Sequence, residues 1–210
     1  MPPSRSRPTH TIKNIVFDFG NVLVKFDYGI LYRRLAQKSP LTVEEIHEIV
    51  FDSPEHQDFE RGELSGPDFY RFVVSKTQVR MNYEKFYDVW ADIFWPDEGM
   101  LDLADRLHTR YELYLLSNTN EIHYTEFGKV PGLMKIIPRH GVSFKFKAIK
   151  PEAAIYERFL KHFRIRAVET VFIDDIEVNA RAARRIGMHA IHHTSLQSTR
   201  RGLARFGIVV

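Results

Sequence analysis

Apolar positions along this chain follow two different periods, and the change between them falls near Pro96. Ile12 to Phe17 is a short, almost continuous apolar run, the pattern of a strand buried on both faces. From about Tyr28 to Trp95 the spacing is helical, with almost no strand signal. Thr42-Val-Glu-Glu45 forms a capping box ahead of Ile46, Ile49 and Val50. Ser65 with Asp68 opens a further helix carrying Phe69, Phe72 and Val73. Asn82 opens another, with Phe86, Val89, Trp90 and Ile93 on one face. Arg61-Gly62-Glu63 is the turn between two of these helices.

Beyond Pro96 strands and helices alternate. The pattern predicts a helix over Met100 to Leu107 and a strand over Glu112 to Leu116. A helix follows over Pro151 to Phe163, with proline in its first turn. Thr170 to Ile173 reads as a strand, and Glu177 to Ile186 as a helix stopped by Gly187. A short strand, His189 to His192, and a final helix, Ser195 to Phe206, complete the chain. Such alternation predicts an α/β fold, a doubly wound parallel sheet of the Rossmann-like kind with helices on both faces. The expected organisation is a disordered tail over 1–11, a core made of 12–25 and 96–210, and a small all-helical insertion over 26–95.

Composition narrows this little. Hydrophobic residues make up 44% of the 210, enough for a substantial core. Cysteine is absent, so any metal must take oxygen or imidazole ligands, and a reducing, cytoplasmic setting is expected. No apolar stretch approaches the ~20 residues of a membrane span. The first ten residues carry arginines but no apolar block of the secretory kind. Net charge is only +3, although no acid follows Glu177 while Arg181, Arg184, Arg185, Arg200, Arg201 and Arg205 do. These arginines make no continuous stripe with aromatic partners, so neither nucleic acid nor membrane is expected as a partner.

Four segments carry candidate chemistry. Asp18-Phe-Gly-Asn21 ends the first apolar strand in a carboxylate. Leu115-Leu-Ser-Asn-Thr-Asn120 ends a strand in small polar residues. Ile149-Lys-Pro-Glu152 sets a lysine just before a helix, and Val171-Phe-Ile-Asp-Asp175 is another strand ending in acids. In a parallel sheet the carboxyl ends share one edge, so these groups converge. Carboxylates from two strands suit a hard divalent cation such as Mg2+, and a free backbone carbonyl such as that of Gly20 adds a ligand. A hydroxyl and backbone N–H at Ser117 and Asn118 suit phosphate oxygens, and Lys150 offers a positive charge to a transferring group. An aspartate nucleophile would form an aspartyl-phosphate.

In this order the segments resemble the four motifs of the haloacid dehalogenase-like hydrolase superfamily. The likeness runs from Ile12 nearly to the end, and the helical insertion resembles that superfamily's small helical cap. Phe59-Glu-Arg-Gly-Glu-Leu-Ser65 and Leu116-Ser-Asn-Thr-Asn120 resemble a narrower group, the α-D-glucose-1-phosphate phosphatases, and more distantly the phosphatase domain of soluble epoxide hydrolase. The resemblance implies a Mg2+-dependent phosphatase of small phosphorylated metabolites, with a sugar phosphate the expected substrate. It implies Asp18 as nucleophile and metal ligand, with the Gly20 carbonyl and Asp175 as further ligands and Asp174 acting directly or through water. Ser117 and Asn118 would hold the phosphoryl group and Lys150 would neutralise it.

One departure stands out. The superfamily's usual first motif has a second aspartate two positions after the nucleophile, a general acid/base, and here that position is Gly20. Its absence removes an effect typically of about 10²- to 10⁴-fold. Two rival readings follow: a fold-retaining binder of phosphorylated ligands, and a metal-independent haloacid dehalogenase, which the Asp174-Asp175 pair argues against. Arg61, in its glycine turn, is a candidate substrate contact, and Asn120 a second. His123 is a candidate for a supporting role near the crevice, whereas the cap aromatics read as core.

Overall fold

The computed structural model describes residues 11–209. Of the tail expected over 1–11, all but Thr11 lies outside the described residues. Five strands form one parallel sheet: β1 (Asn14–Phe17), β4 (Glu112–Ser117), β5 (Arg139–Val142), β6 (Thr170–Asp174) and β7 (His189–His192), in the order β5-β4-β1-β6-β7. The first strand is therefore the central one, and its residues are buried throughout. Its alternation splits two cores. Ile15 and Phe17 join a cluster with Leu103, Leu107 and Leu203, from helices α6 (Glu98–Leu107) and α12 (Leu196–Ala204). Val16 joins Tyr156, Phe159, Ala182 and Ala183, from α10 (Ala153–Phe163) and α11 (Glu177–Arg185), on the opposite face. Each such fully buried side chain contributes about 1.5–3 kcal/mol, and the one polar residue of the strand, Asn14, is buried with its amide donating to Thr170 Oγ1 at 3.2 Å. The expected doubly wound α/β architecture is what the chain adopts.

The helical insertion hangs on a two-stranded antiparallel ribbon, β2 (Val24–Phe26) with β3 (Phe94–Pro96). Between them lie α1 (Tyr28–Ala36), α2 (Val43–Val50), α3 (Pro54–Arg61), α4 (Gly66–Thr77) and α5 (Tyr83–Ala91). Each begins at a side chain that accepts from the first turn: Asp27, Thr42, Ser53, Ser65 and Asn82. The Thr42–Glu45 capping box is present in full. These helices bury a cluster of their own around Phe59, Phe69, Phe86 and Trp90, to which Ile122 from the core contributes. The cap aromatics are thus packed core, as their spacing implied.

Several elements differ from expectation for local reasons. Ile93 is buried but lies beyond α5, which ends at Ala91. Pro151 precedes α10 rather than opening it, since Glu152 takes the N-cap position. The ribbon strands have three residues each, and β5 reads Arg-His-Gly-Val, so neither offers a hydrophobic period. The short helices α7 (Glu121–Glu126), α8 (Leu133–Ile136) and α9 (Ser143–Phe146) escape periodicity for the same reason. No helix among the described residues is long and apolar enough to cross a membrane.

Candidate active site

The sheet brings the four segments to one edge. Phe17 pairs with Leu115 and with Ile173, so the residues that follow leave neighbouring strands side by side. The Asp18 N–H donates to Ile173 O at 2.8 Å, which fixes that exit. Lys150 lies at the centre, only 4% exposed. Its Nζ is 2.8 Å from Asp18 Oδ1 and 2.7 Å from Asp174 Oδ2. Burial works against the Lys150 ammonium, but Asp174 and Asp18 together hold it above the ordinary lysine range. Burial pushes the Asp18 carboxyl up to about 7, Lys150 pulling it down and Asp174 pushing it further up.

Asp174 and Asp175 differ although adjacent. Asp174 is fully buried and spent on internal bonds: it accepts from Ile176 N at 2.8 Å and from Asn179 Nδ2 at 3.0 Å, besides Lys150. Asp175 is half-buried, and its carboxyl is raised by burial and then by Asp174. One carboxylate oxygen from each of Asp18, Asp174 and Asp175 lies within 4.8 Å of the others. This donor set is all hard oxygen, and burial disfavours two of its three anions, so a divalent cation fits the cluster and would relieve it.

Ser117 is buried beside this group. Asn118 spends its side chain on the lysine segment: Oδ1 accepts from Lys150 N at 2.7 Å, and Nδ2 donates to Lys150 O at 3.0 Å. That clamp ties the ends of the second and third segments together. Asn120 is fully buried, and its amide caps α7 through His123 N at 3.0 Å while meeting His123 Nδ1 at 3.1 Å. His123 itself is buried, with Nε2 3.0 Å from Trp90 O. Burial, then His56, lowers its pKa to about 3, so it is a neutral strut between core and cap. Arg61 pairs with Glu152, Nη1 to Oε2 at 2.9 Å, two residues after Lys150. Its guanidinium links cap to core.

The cap side carries residues that sequence reasoning passed over. Glu60, the neighbour of Arg61, is half-buried, and its carboxylate has no hydrogen-bond partner among the described residues. Burial pushes it up to about 7 against the pull of Lys150 and Arg61. Tyr28 feels its charge: burial, then Glu60, raises the Tyr28 hydroxyl above the ordinary tyrosine range. Glu60 belongs to the Phe59–Ser65 segment, so the signal was present, but which face of α3 meets the crevice is a tertiary matter. A cavity of about 650 Å³ lined by Arg34, Lys38, Arg80, Asp88 and Lys129 holds none of these residues.

Comparison with known proteins agrees with this geometry. The haloacid dehalogenase-like hydrolase model matches residues 12–187. The D-ribitol-5-phosphate phosphatase of Bacteroides thetaiotaomicron is 26% identical over 185 residues, covering 84% of this chain and 89% of that protein. The sesquiterpene phosphatase astK of Aspergillus oryzae is 25% identical, covering 90% of this chain and 93% of that protein. A crystal structure of a HAD family enzyme from Bacteroides thetaiotaomicron, in complex with magnesium and inorganic phosphate, superposes with a TM-score of 0.77 at 24% identity, covering 85% of this chain and 92% of that one. The chain belongs to the haloacid dehalogenase-like hydrolase family and stands in it with the phosphatases, hydrolases of phosphoric monoesters.

Proposed function

We propose that this phosphatase is Mg2+-dependent, transfers the phosphoryl group to Asp18, and acts on a small phosphorylated sugar or polyol. The observation that carries the reading is the buried Lys150 bridging Asp18 and Asp174, with Asp175 beside them. Asp18, Asp175 and the Gly20 carbonyl, with Asp174 directly or through water, would hold the cation, which neutralises phosphoryl charge when bound.

The chain's own groups do the rest. Asp18 attacks phosphorus and becomes an aspartyl-phosphate, which water then hydrolyses. Lys150 orients the attacking carboxylate at 2.8 Å and faces the phosphoryl oxygens with positive charge. The Ser117 hydroxyl and the Asn118 backbone N–H hold those oxygens, the Asn118 side chain being committed to Lys150. Helices over 26–95 act as the cap that shields the site from water. Arg61 and Asn120, both engaged internally, act by positioning the cap and α7. The ribitol-phosphate relative favours a polyol or sugar phosphate over the terpenoid class of the second relative.

A panel of sugar, polyol and prenyl phosphates assayed with Mg2+ and with EDTA tests this. The expected result is turnover of a sugar or polyol phosphate that EDTA abolishes and Mg2+ restores. Full activity without a divalent cation contradicts the metal assignment, and preference for a prenyl phosphate contradicts the substrate class.

A further inference from the structure

The missing aspartate at Gly20 leaves the leaving group without a proton donor from the core. The structure shows why none fits there. A Cβ on Gly20 would lie 2.6 Å from Phe26 Cε1, so the ring of Phe26 fills the space that an acidic side chain would need. Phe26 is itself held against Tyr28 and Phe94, with ring centroids 5.1 Å and 5.9 Å away. Histidine does not substitute, because both nitrogens of the neutral His123 are engaged.

We propose that Glu60, carried by the cap, is the general acid and base of the reaction, donating to the leaving oxygen and then deprotonating the attacking water. This assignment rests on the phosphatase reading above. Three observations carry it. First, Lys150, which itself touches Asp18, pulls on the Glu60 carboxyl, and the adjacent Arg61 pairs with Glu152, two residues after Lys150. Second, its carboxylate is left without a hydrogen-bond partner among the described residues, in a site where the other acids are paired or clustered. A half-buried carboxylate with no partner in the free protein is open to a ligand or water that completes it.

Third, its backbone is held in place by the core. Ser143 Oγ lies 2.6 Å from Glu60 O and 2.8 Å from Thr119 O, and accepts from Thr119 N at 2.9 Å. One serine thus ties the end of α3 to the loop just after Ser117. On either side, Arg61 pairs with Glu152 and Lys147 donates to Gly62 O. Gly62 has φ +70°, and a Cβ there would run into Phe144 O, so α3 ends tightly against α9. These bonds fix a cap residue with the precision of a core one. The charged and titratable groups facing Glu60 are Lys150, Arg61 and Tyr28. Its raised carboxyl, near 7, suits a group that must alternate between acid and base.

The steps balance. The Asp18 carboxylate forms a bond to phosphorus as the P–O bond to the substrate breaks, and the departing oxygen takes the Glu60 proton and leaves as an alcohol. Water then attacks phosphorus of the aspartyl-phosphate, its proton passes to the Glu60 carboxylate, and hydrogen phosphate, free Asp18 and protonated Glu60 result. The Asp18 carboxylate and the Glu60 proton are each restored once per turnover, and the phosphoryl group leaves on the oxygen of water.

Wild-type and Glu60→Gln enzyme, with Mg2+, are compared on phenyl phosphate, a poor leaving group, and 2,4-dinitrophenyl phosphate, a good one. On phenyl phosphate the variant is expected to lose about 10²- to 10⁴-fold in turnover. On the activated ester no acid is needed for the first step but a base is needed for the second. The variant should therefore release a rapid burst of about one equivalent of nitrophenolate per enzyme, followed by slow turnover. Rescue of Glu60→Ala by added formate is the independent reading, since a chain that had lost its fold would not respond. Variant rates within threefold of wild type, with no burst, overturn the assignment to Glu60 while leaving the phosphatase reading intact. A wild-type enzyme that hydrolyses neither ester, or whose activity survives Asp18→Asn, breaks the underlying reading instead.

Discussion

The sheet edge and the cap face across from it are built on opposite terms. At the sheet edge the charges are matched: Lys150 is shared by two carboxylates, Asp174 is bonded on every side, and Asn118 clamps the lysine segment. On the cap face Glu60 is left without a side-chain hydrogen-bond partner among the described residues, and Tyr28 is raised by burial and by Glu60. The first arrangement serves the phosphoryl group, which every phosphate ester shares. The second serves the part of the substrate that differs and departs. A pre-satisfied core keeps its geometry without ligand, whereas an unsatisfied cap gains only when substrate completes it. Such unpaired groups cost stability, as functional sites commonly do.

The largest effect that would test this contrast is at the nucleophile. Asp18→Asn keeps shape but is a poor nucleophile, and turnover should fall by more than about 10³-fold. Steady-state rates with saturating Mg2+ check it, and residual activity within tenfold of wild type would remove Asp18 from its role. Lys150→Ala leaves Asp18 and Asp174 as buried, uncompensated charges. It should cost about 3–5 kcal/mol in denaturant unfolding as well as activity. A variant as stable as wild type would show that the core site is not charge-matched.

Asp175→Asn is expected to act on metal alone. The half-exposed carboxylate contributes ligand rather than fold, so the Mg2+ requirement should rise on the order of 10- to 100-fold with little change in melting. Unchanged Mg2+ affinity by calorimetry would place the cation elsewhere.

The cap side gives the opposite sign. The folded Glu60 carboxyl is raised from 4.5 to about 7, so the folded chain holds its proton more tightly than the unfolded chain does. Glu60 thus lowers stability progressively as pH rises from about 4.5 to about 7, and the full penalty persists above that. In metal-free protein Glu60→Gln should therefore raise the melting temperature at pH 8 and leave it unchanged below pH 4.5. A variant less stable than wild type at pH 8 would mean that Glu60 is structural. The smallest expected change is Thr42→Ala, which removes a cap on α2 far from the crevice: about 1 kcal/mol of stability and no change in turnover.

The same contrast governs what could be read from the sequence. Asp18, Lys150 and the Asp174-Asp175 pair were readable because each interrupts an apolar strand or precedes a helix, and a parallel sheet sends all such exits to one edge. The helix starts were readable because Thr42, Ser53, Ser65 and Asn82 bond their own first turns, a local effect, although only three of these four were singled out. Arg61 rather than its neighbour Glu60 drew attention, because a charge in a glycine turn looks free to reach. Its partner Glu152 lies 91 residues away, and nothing local announces that pairing. Likewise Gly20 reads as a deletion of chemistry, and only packing shows that Phe26 occupies the space. What the sequence conceals here is which long-range contacts orient the cap.

The central claim is that phosphate passes through Asp18 and that the cap then controls its release. Rapid acid quench of Glu60→Gln mixed with 2,4-dinitrophenyl phosphate, followed by peptide mass mapping, tests both at once. The account predicts a phosphoryl group on the peptide containing Asp18, near stoichiometric and discharged by hydroxylamine, and far less of it in wild type. A phosphoryl group on any other residue, or none in a variant that still releases nitrophenolate, would contradict it.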